Sequence, residues 1–291
     1  MGAGHSHGSL TAPSSGRSRS VSDGLYVEGS SVLHRLPAEA KVVGLVAVVV
    51  TVVATPREQV WAFGLHALVL AALVAVAGIP ARTVLRRMVI EVPFVVFALL
   101  LPFVALGERV DVLGLSLSVE GLLGGFNVLA KGTLGVVAAI VLSATTRPRD
   151  LLVGLQRLRV PALLVTIVSF MVRYLDVVVD DMRRMAVARA ARGFEARHLG
   201  HLPVVARGAG ALFVRAFERG ERVHLAMVSR GFTGTMPVLA APRARPGQWL
   251  LVAGTWVVVA AVAVAAALAG PETSLEPWLT RAAAAPTGVA G

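Results

Sequence analysis

The sequence predicts an all-α, polytopic membrane protein, and three observations carry that prediction. First, 56% of its 291 residues are apolar and only 15% are charged, where a soluble domain of this size carries about a quarter charged. Second, long apolar runs recur at close to the length a bilayer span requires. Third, two charged amphipathic helix patterns lie between apolar segments, and each closes on the same tripeptide, Arg-Gly-Phe. About five transmembrane helices satisfy the pattern, six being possible, with amphipathic helices on the cytoplasmic side.

Composition narrows the function classes. Net charge is +11, and of 28 basic residues only Lys41 and Lys131 are lysine. In a chain of mean hydropathy +0.74, arginine excess marks cytoplasmic loops rather than nucleic-acid binding. Aromatics make up 5%, and no basic groove interleaved with them is visible. The chain lacks cysteine, which removes disulfides, thiolate catalysis and zinc–thiolate sites. No cleavable signal is expected, because the first two dozen residues have no apolar core.

Residues 1–30 read as a disordered Gly/Ser-rich tail. His5 and His7 within it are the nearest thing to a metal-gathering pair, but two imidazoles make a weak site. Residues 31–146 hold four apolar runs: Val42 to Ala54, Val60 to Ala77, Val92 to Leu106 and Phe126 to Ala144. The first is short and borrows flanking residues. His66, in the second run, reads as a packed residue. Gly107 to Gly125 reads as a loop, and Lys131 as a lysine one turn inside its span, snorkelling to the interface.

Residues 147–245 form a distinct module. Asp150 to Leu158 reads as a short interfacial helix with Leu151, Leu152 and Leu155 on one face. The apolar segment 161–179 has basic residues on both flanks (Arg147 to Arg159, then Arg183 and Arg184), so it is expected to pack along the membrane rather than cross it. Two polar helices follow. Val178, Met182, Met185 and Ala186 share one face of the first. In the second, Phe213, Phe217, Met227 and Val228 form an apolar stripe beside Arg215, Glu218, Arg219 and Arg222. The last span occupies 246–270, and 271–291 is a flexible tail. Arginine bias places the amino terminus and the module in the cytoplasm.

The two helix endings are Ala191-Arg192-Gly193-Phe194 and Ser229-Arg230-Gly231-Phe232. Arginine in a final turn complements the helix dipole, and the next glycine suits a left-handed cap. Capping explains Gly193 and Gly231 without explaining why each precedes phenylalanine. Two matched ends suit two equivalent grooves on a paired partner, each taking a hydrophobic plug and a guanidinium that pairs with carboxylates.

These endings resemble the two Ala-Arg-Gly-type motifs of the transmembrane T component of energy-coupling factor (ECF) transporters, the CbiQ/EcfT family. Glu221 to Phe232 resembles the cobalt branch of that family, as do Met1 to His5, His34-Arg35-Leu36-Pro37 with Lys41, and Asp150 to Leu155. Ser229 departs from the usual alanine. The resemblance extends from about residue 1 to 270. It implies a non-catalytic scaffold in the cell membrane, embedded in lipid and without a cofactor, between two cytoplasmic ABC ATPase subunits and a metal-binding S component, with a small accessory membrane subunit. Ala191, Arg192, Gly193, Ser229, Arg230 and Gly231 would couple to the ATPases, supported by Phe194, Glu221, Arg222, Met227 and Phe232. Cobalt uptake is the expected function, nickel or a vitamin the alternative cargo.

The residues themselves bear on the competing classes. No Gly-x-x-x-x-Gly-Lys-[Ser/Thr] occurs, so this chain does not cradle nucleotide phosphates by that route. His66, Glu91, Lys131, Arg173 and Asp176 are too scattered for a dehydrated divalent cation. A self-sufficient carrier would show internal repeats around interrupted helices. Pro93 and Pro102 have no such counterpart. A membrane enzyme would need clustered His, Asp and Glu or a Gly-x-Ser-x-Gly elbow. His198 with His201 reads as a solvated loop pair.

Overall fold

A computed structural model describes residues 24–105, 109–112, 115–194, 198–234 and 244–269. In chain order these form α1 (Val32–Arg35), α2 (Ala38–Ala54), α3 (Val60–Ala77), α4 (Ala81–Met88), α5 (Val92–Val104), α6 (Val119–Thr145), α7 (Pro148–Arg157), α8 (Ala162–Ala190), α9 (Leu202–Val228) and α10 (Pro246–Leu268). One antiparallel hairpin, β1 (Arg109–Val112) with β2 (Leu115–Ser118), interrupts the helices between α5 and α6, pairing Arg109 with Ser118. The all-α class stands, with that hairpin added.

Helix ends follow local chemistry. Proline occupies the first turn of α5, α7, α9 and α10, where its missing N–H costs nothing. Helix α2 ends at Thr55, ahead of Pro56, and α3 ends on Gly78 at φ +67°.

Side chains from α2, α3, α6 and α10 meet in one core, made by Val48 and Val52, Phe63 and Leu70, Leu134 and Ala138, and Val259. His66 is packed inside this bundle at 1% exposure, its Nε2 3.2 Å from the Val259 carbonyl. Helices α5 and α6 lie backbone to backbone. A methyl added at Gly125 would fall 2.6 Å from the Ala98 carbonyl oxygen, and one at Gly121 would fall 2.7 Å from that of Leu101.

That contact explains one departure from the sequence reading. The glycines between 121 and 125 look like loop, yet α6 begins at Val119, capped by the Ser118 hydroxyl accepting from the Gly121 N–H at 3.3 Å. Gly121 and Gly125 are small because α5 presses against them. Lys131 consequently sits in the middle of α6, and its ammonium donates to the Val53 carbonyl at 2.8 Å, capping the end of α2 instead of snorkelling.

A second departure concerns 161–192. The apolar segment and the first polar helix are one continuous 29-residue helix, α8. No glycine or proline separates the two halves, so nothing in the backbone stops propagation. Among the described residues, five helical segments are long and apolar enough to cross a membrane: Val60–Ala77, Ala81–Val104, Val119–Thr145, Ala162–Ala190 and Pro246–Leu268. The number matches the expectation but the membership differs. The segment expected to lie along the membrane is among them, while α2, at 17 residues, is one residue shorter than α3, the shortest of the five.

The amino-terminal tail was expected to be unstructured through residue 30. From residue 24 onward it is docked instead. The Val27 N–H donates to the Ala144 carbonyl at 2.9 Å, and Tyr26 lies under the Arg147 guanidinium at 4.9 Å and edge-on to His34. Val27 packs against the Ala77, Ile79, Val141 and Ala144 cluster, and the Leu25 carbonyl accepts from Arg87. His5, His7 and the tail 271–291 lie outside the described residues.

Candidate functional site

Both Arg-Gly-Phe endings adopt the same backbone. In α8 the Phe194 N–H reaches the Arg189 carbonyl at 3.0 Å and the Gly193 N–H reaches Ala190 at 2.9 Å. In α9 the Phe232 N–H reaches Met227 at 3.0 Å and the Gly231 N–H reaches Val228 at 2.9 Å. Gly193 and Gly231 have φ of +74° and +83°, the left-handed geometry that side chains resist. The paired bonds satisfy otherwise orphaned carbonyls and turn the chain sharply. They also account for part of the phenylalanine recurrence, because this cap favours an apolar residue one place after the glycine. Phe194 and Phe232 are both half-buried, Phe194 lying 5.1 Å from the His201 ring.

Each arginine therefore stands in the capping turn, two residues past the last helical residue and directly before the left-handed glycine. Arg192 and Arg230 are exposed, and neither forms an ion pair among the described residues. Ala191, Ser229 and Glu221 are exposed as well. The Ser229 hydroxyl donates back to the Ala226 carbonyl at 3.0 Å, so serine fits the last turn without disturbing it. Arg222 pairs loosely with Glu218 one turn earlier at 3.9 Å. Met227 supplies the carbonyl that closes the second cap.

The structure does not bring the two endings together. The Arg189 guanidinium lies over Gly208, where an added methyl would fall 2.7 Å from it, and Arg219 bonds Asp181 at 3.1 Å. These pairings run in opposite chain directions, so α8 and α9 cross antiparallel. From Gly208 to Arg230 the register gives roughly 30 Å of helix axis, which sets the two guanidiniums at opposite ends of the crossing. The sequence reading did not single out Asp181, Arg189 or Gly208. Glycine inside a long helix pattern was the available signal for a close approach, and Gly208 is one of three in α9.

The expected apolar stripe on α9 exists but is uncovered. Phe213 and Phe217 stack at 6.5 Å between ring centroids and are 71% and 58% exposed. Leu212 is the sole buried residue of α9, and Val165 and Thr166 are the only ones of α8. His198 and His201 face each other at 5.7 Å between centroids.

These elements define a multi-pass helical membrane protein whose longest polar segment is a crossed helix pair with open faces. The cobalt transport protein family CbiQ matches residues 29–239, and the chain belongs to that family. It is similar to the Cobalt transport protein CbiQ of Rhodobacter capsulatus, 34% identical over 125 residues, covering 43% of this chain and 50% of that protein. It is also similar to the Energy-coupling factor transporter transmembrane protein EcfT of Listeria innocua, 27% identical over 225 residues (72% and 84% of the two chains), and to that of Ruminiclostridium cellulolyticum, 26% over 237 residues (75% and 85%). The matched range contains both Arg-Gly endings.

Proposed function

We propose that this chain is the T component of an ECF-type importer, transmitting the motion of two cytoplasmic ATPase subunits to a metal-binding S component. The observation that carries this reading is the pair of identical caps, each presenting an unpaired arginine at opposite ends of one helix crossing. A guanidinium at a helix end, flanked by an apolar ring, is suited to a carboxylate-lined groove. Two such ends facing apart suit two copies of one partner.

On this reading the charged stretch 180–245, with both Arg-Gly endings, is the cytoplasmic part of the module, the apolar half of α8 (162–179) is held in the membrane, and the amino terminus lies on the cytoplasmic side. Arg192 and Arg230 each seat in one ATPase, with Phe194 and Phe232 filling the apolar part of the groove. When nucleotide draws the ATPases together, the tips move with them and α8 and α9 scissor about the contacts Arg189–Gly208 and Asp181–Arg219. The uncovered stripe with Phe213 and Phe217 is where the S component receives that movement. The chain itself is non-catalytic: it transmits free energy released elsewhere. Cobalt is the cargo that the family description favours, and a small accessory membrane subunit completes the assembly.

The test is the double variant Arg192→Glu, Arg230→Glu in the assembled transporter. Charge reversal at both tips should abolish ATPase co-purification and reduce uptake of radiolabelled cobalt by roughly a hundredfold, about 3 kcal/mol of lost coupling. The variant should still insert in the membrane. Undiminished ATP-driven uptake would refute the model. Competition by unlabelled nickel against cobalt distinguishes the two cargoes.

A further inference from the structure

Glu39 stands in the first turn of α2 and is 8% exposed. Both of its carboxylate oxygens are engaged by elements distant in sequence. Oε1 accepts the Ala244 N–H at 2.8 Å, and Oε2 accepts from Arg157 Nη1 at 3.5 Å. Beside this, α7 lies directly on the start of α2. A methyl at Gly154 would fall 2.8 Å from the Glu39 nitrogen and 3.0 Å from the Ala38 carbonyl carbon.

The positions of the two donors give the arrangement its meaning. Arg157 is the last residue of α7, five residues before α8 begins, and Ala244 stands two residues before α10. One is the point where the chain leaves the bundle for the crossed helices, and the other is where it returns. A single buried carboxylate holds both. Burying that charge is costly unless its acceptors are filled, and here the two fillers are the two ends of the module.

We propose that Glu39 is a positioning residue that fastens both roots of the crossed-helix module to the membrane bundle, so that movement of the tips is delivered to the bundle instead of being absorbed at the joints. The proposal rests on the coupling function above. Removing the carboxylate takes the acceptor from the Ala244 N–H and one partner from the Arg157 guanidinium together, and the module then swings on loosened roots. The chain would still present Arg192 and Arg230 to the ATPases, so ATP turnover continues while less of it becomes transport.

The measurement is metal uptake per ATP hydrolysed, with the full transporter reconstituted in liposomes and cobalt as the probe. Glu39→Ala should keep ATPase association and hydrolysis near the wild-type level and lower uptake per ATP roughly tenfold, whereas Glu39→Gln, which keeps an oxygen for the Ala244 N–H, should lose far less. Arg157→Gln leaves the Ala244 bond in place and should lower the ratio by roughly threefold, and it decides the matter if Glu39→Ala does not assemble. An unchanged ratio in Arg157→Gln, or in an assembled Glu39→Ala complex, overturns the inference. The wild-type control separates this from the broader reading. If the unaltered chain neither retains ATPases nor needs ATP for uptake, the coupling function fails. If it does both and the variants match it, only the role of Glu39 fails.

Discussion

Helices α6 and α9 are equally long, 27 residues each, yet they belong to different kinds of structure. Ten residues of α6 are buried in the chain's own packing, and one of α9 is. Helix α6 is held on several sides, by α5 through glycine contacts and by α2 and α3 through the shared core. Helix α9 meets α8 at a crossing and otherwise offers its aromatic stripe to its surroundings. An amphipathic helix draws most of its stability from a partner surface. Helix α6 is therefore packed by its own chain, while most of α9 has no covering surface among the described residues. The contrast separates a helix held on several sides from one whose faces stay open.

Substitutions that treat the two regions alike should break this contrast, and the largest effect is expected within α6. Gly125→Ala drives a methyl into the Ala98 carbonyl and should cost about 2 kcal/mol by overpacking. Gly124→Ala next to it, where nothing lies within 4 Å, should be neutral or gain about 0.5 kcal/mol from helix propensity. Thermal unfolding in detergent measures both. Equal shifts in melting temperature would remove the close α5–α6 approach.

Gly231→Val forces a β-branched side chain into φ +83° and should cost about 1 kcal/mol or more, confined to the last turn of α9. Hydrogen exchange at Gly231 and Phe232 should quicken while the bundle's melting temperature holds, and uptake should fall because Phe232 is misplaced. A global loss of stability would mean the crossed pair is not separable from the bundle.

Arg159→Gly should act in the opposite direction. Arg159 is the one non-glycine residue at positive φ among the described residues, +60° at the end of α7. Glycine there should gain about 0.5–1 kcal/mol in the melting temperature measurement. Smallest of all, Arg219→Ala removes a half-exposed ion pair at the crossing and should cost about 0.5 kcal/mol. Its signature is altered tip separation by paired spin labels rather than altered melting.

Much of this was legible in the sequence because it depends on local chemistry. Hydrophobic runs announced the spans, and Gly193 and Gly231 announced their caps, since left-handed backbone is a property of a few consecutive residues. What escaped was tertiary. The glycines from 121 to 125 signal a loop until α5 is seen to lie against Gly121 and Gly125, and no local cue tells one reading from the other. Lys131 looked like an interfacial lysine because the start of α6 was misplaced. Residues 161–192 looked like two segments because the polarity changes midway, although the backbone continues. Glu39 gave no sign, because its partners lie 118 and 205 positions away.

The position of the crossing carries a mechanical consequence. Arg192 lies three residues beyond the Arg189 contact, about 5 Å of helix, whereas Arg230 lies eleven residues beyond Arg219, about 16 Å. The two ends are chemical twins on levers of unequal reach. Under the proposed seating, the same stroke at each motor turns the short arm through a wide angle and the long arm through a narrow one. Two identical engines would then drive an intrinsically lopsided gear.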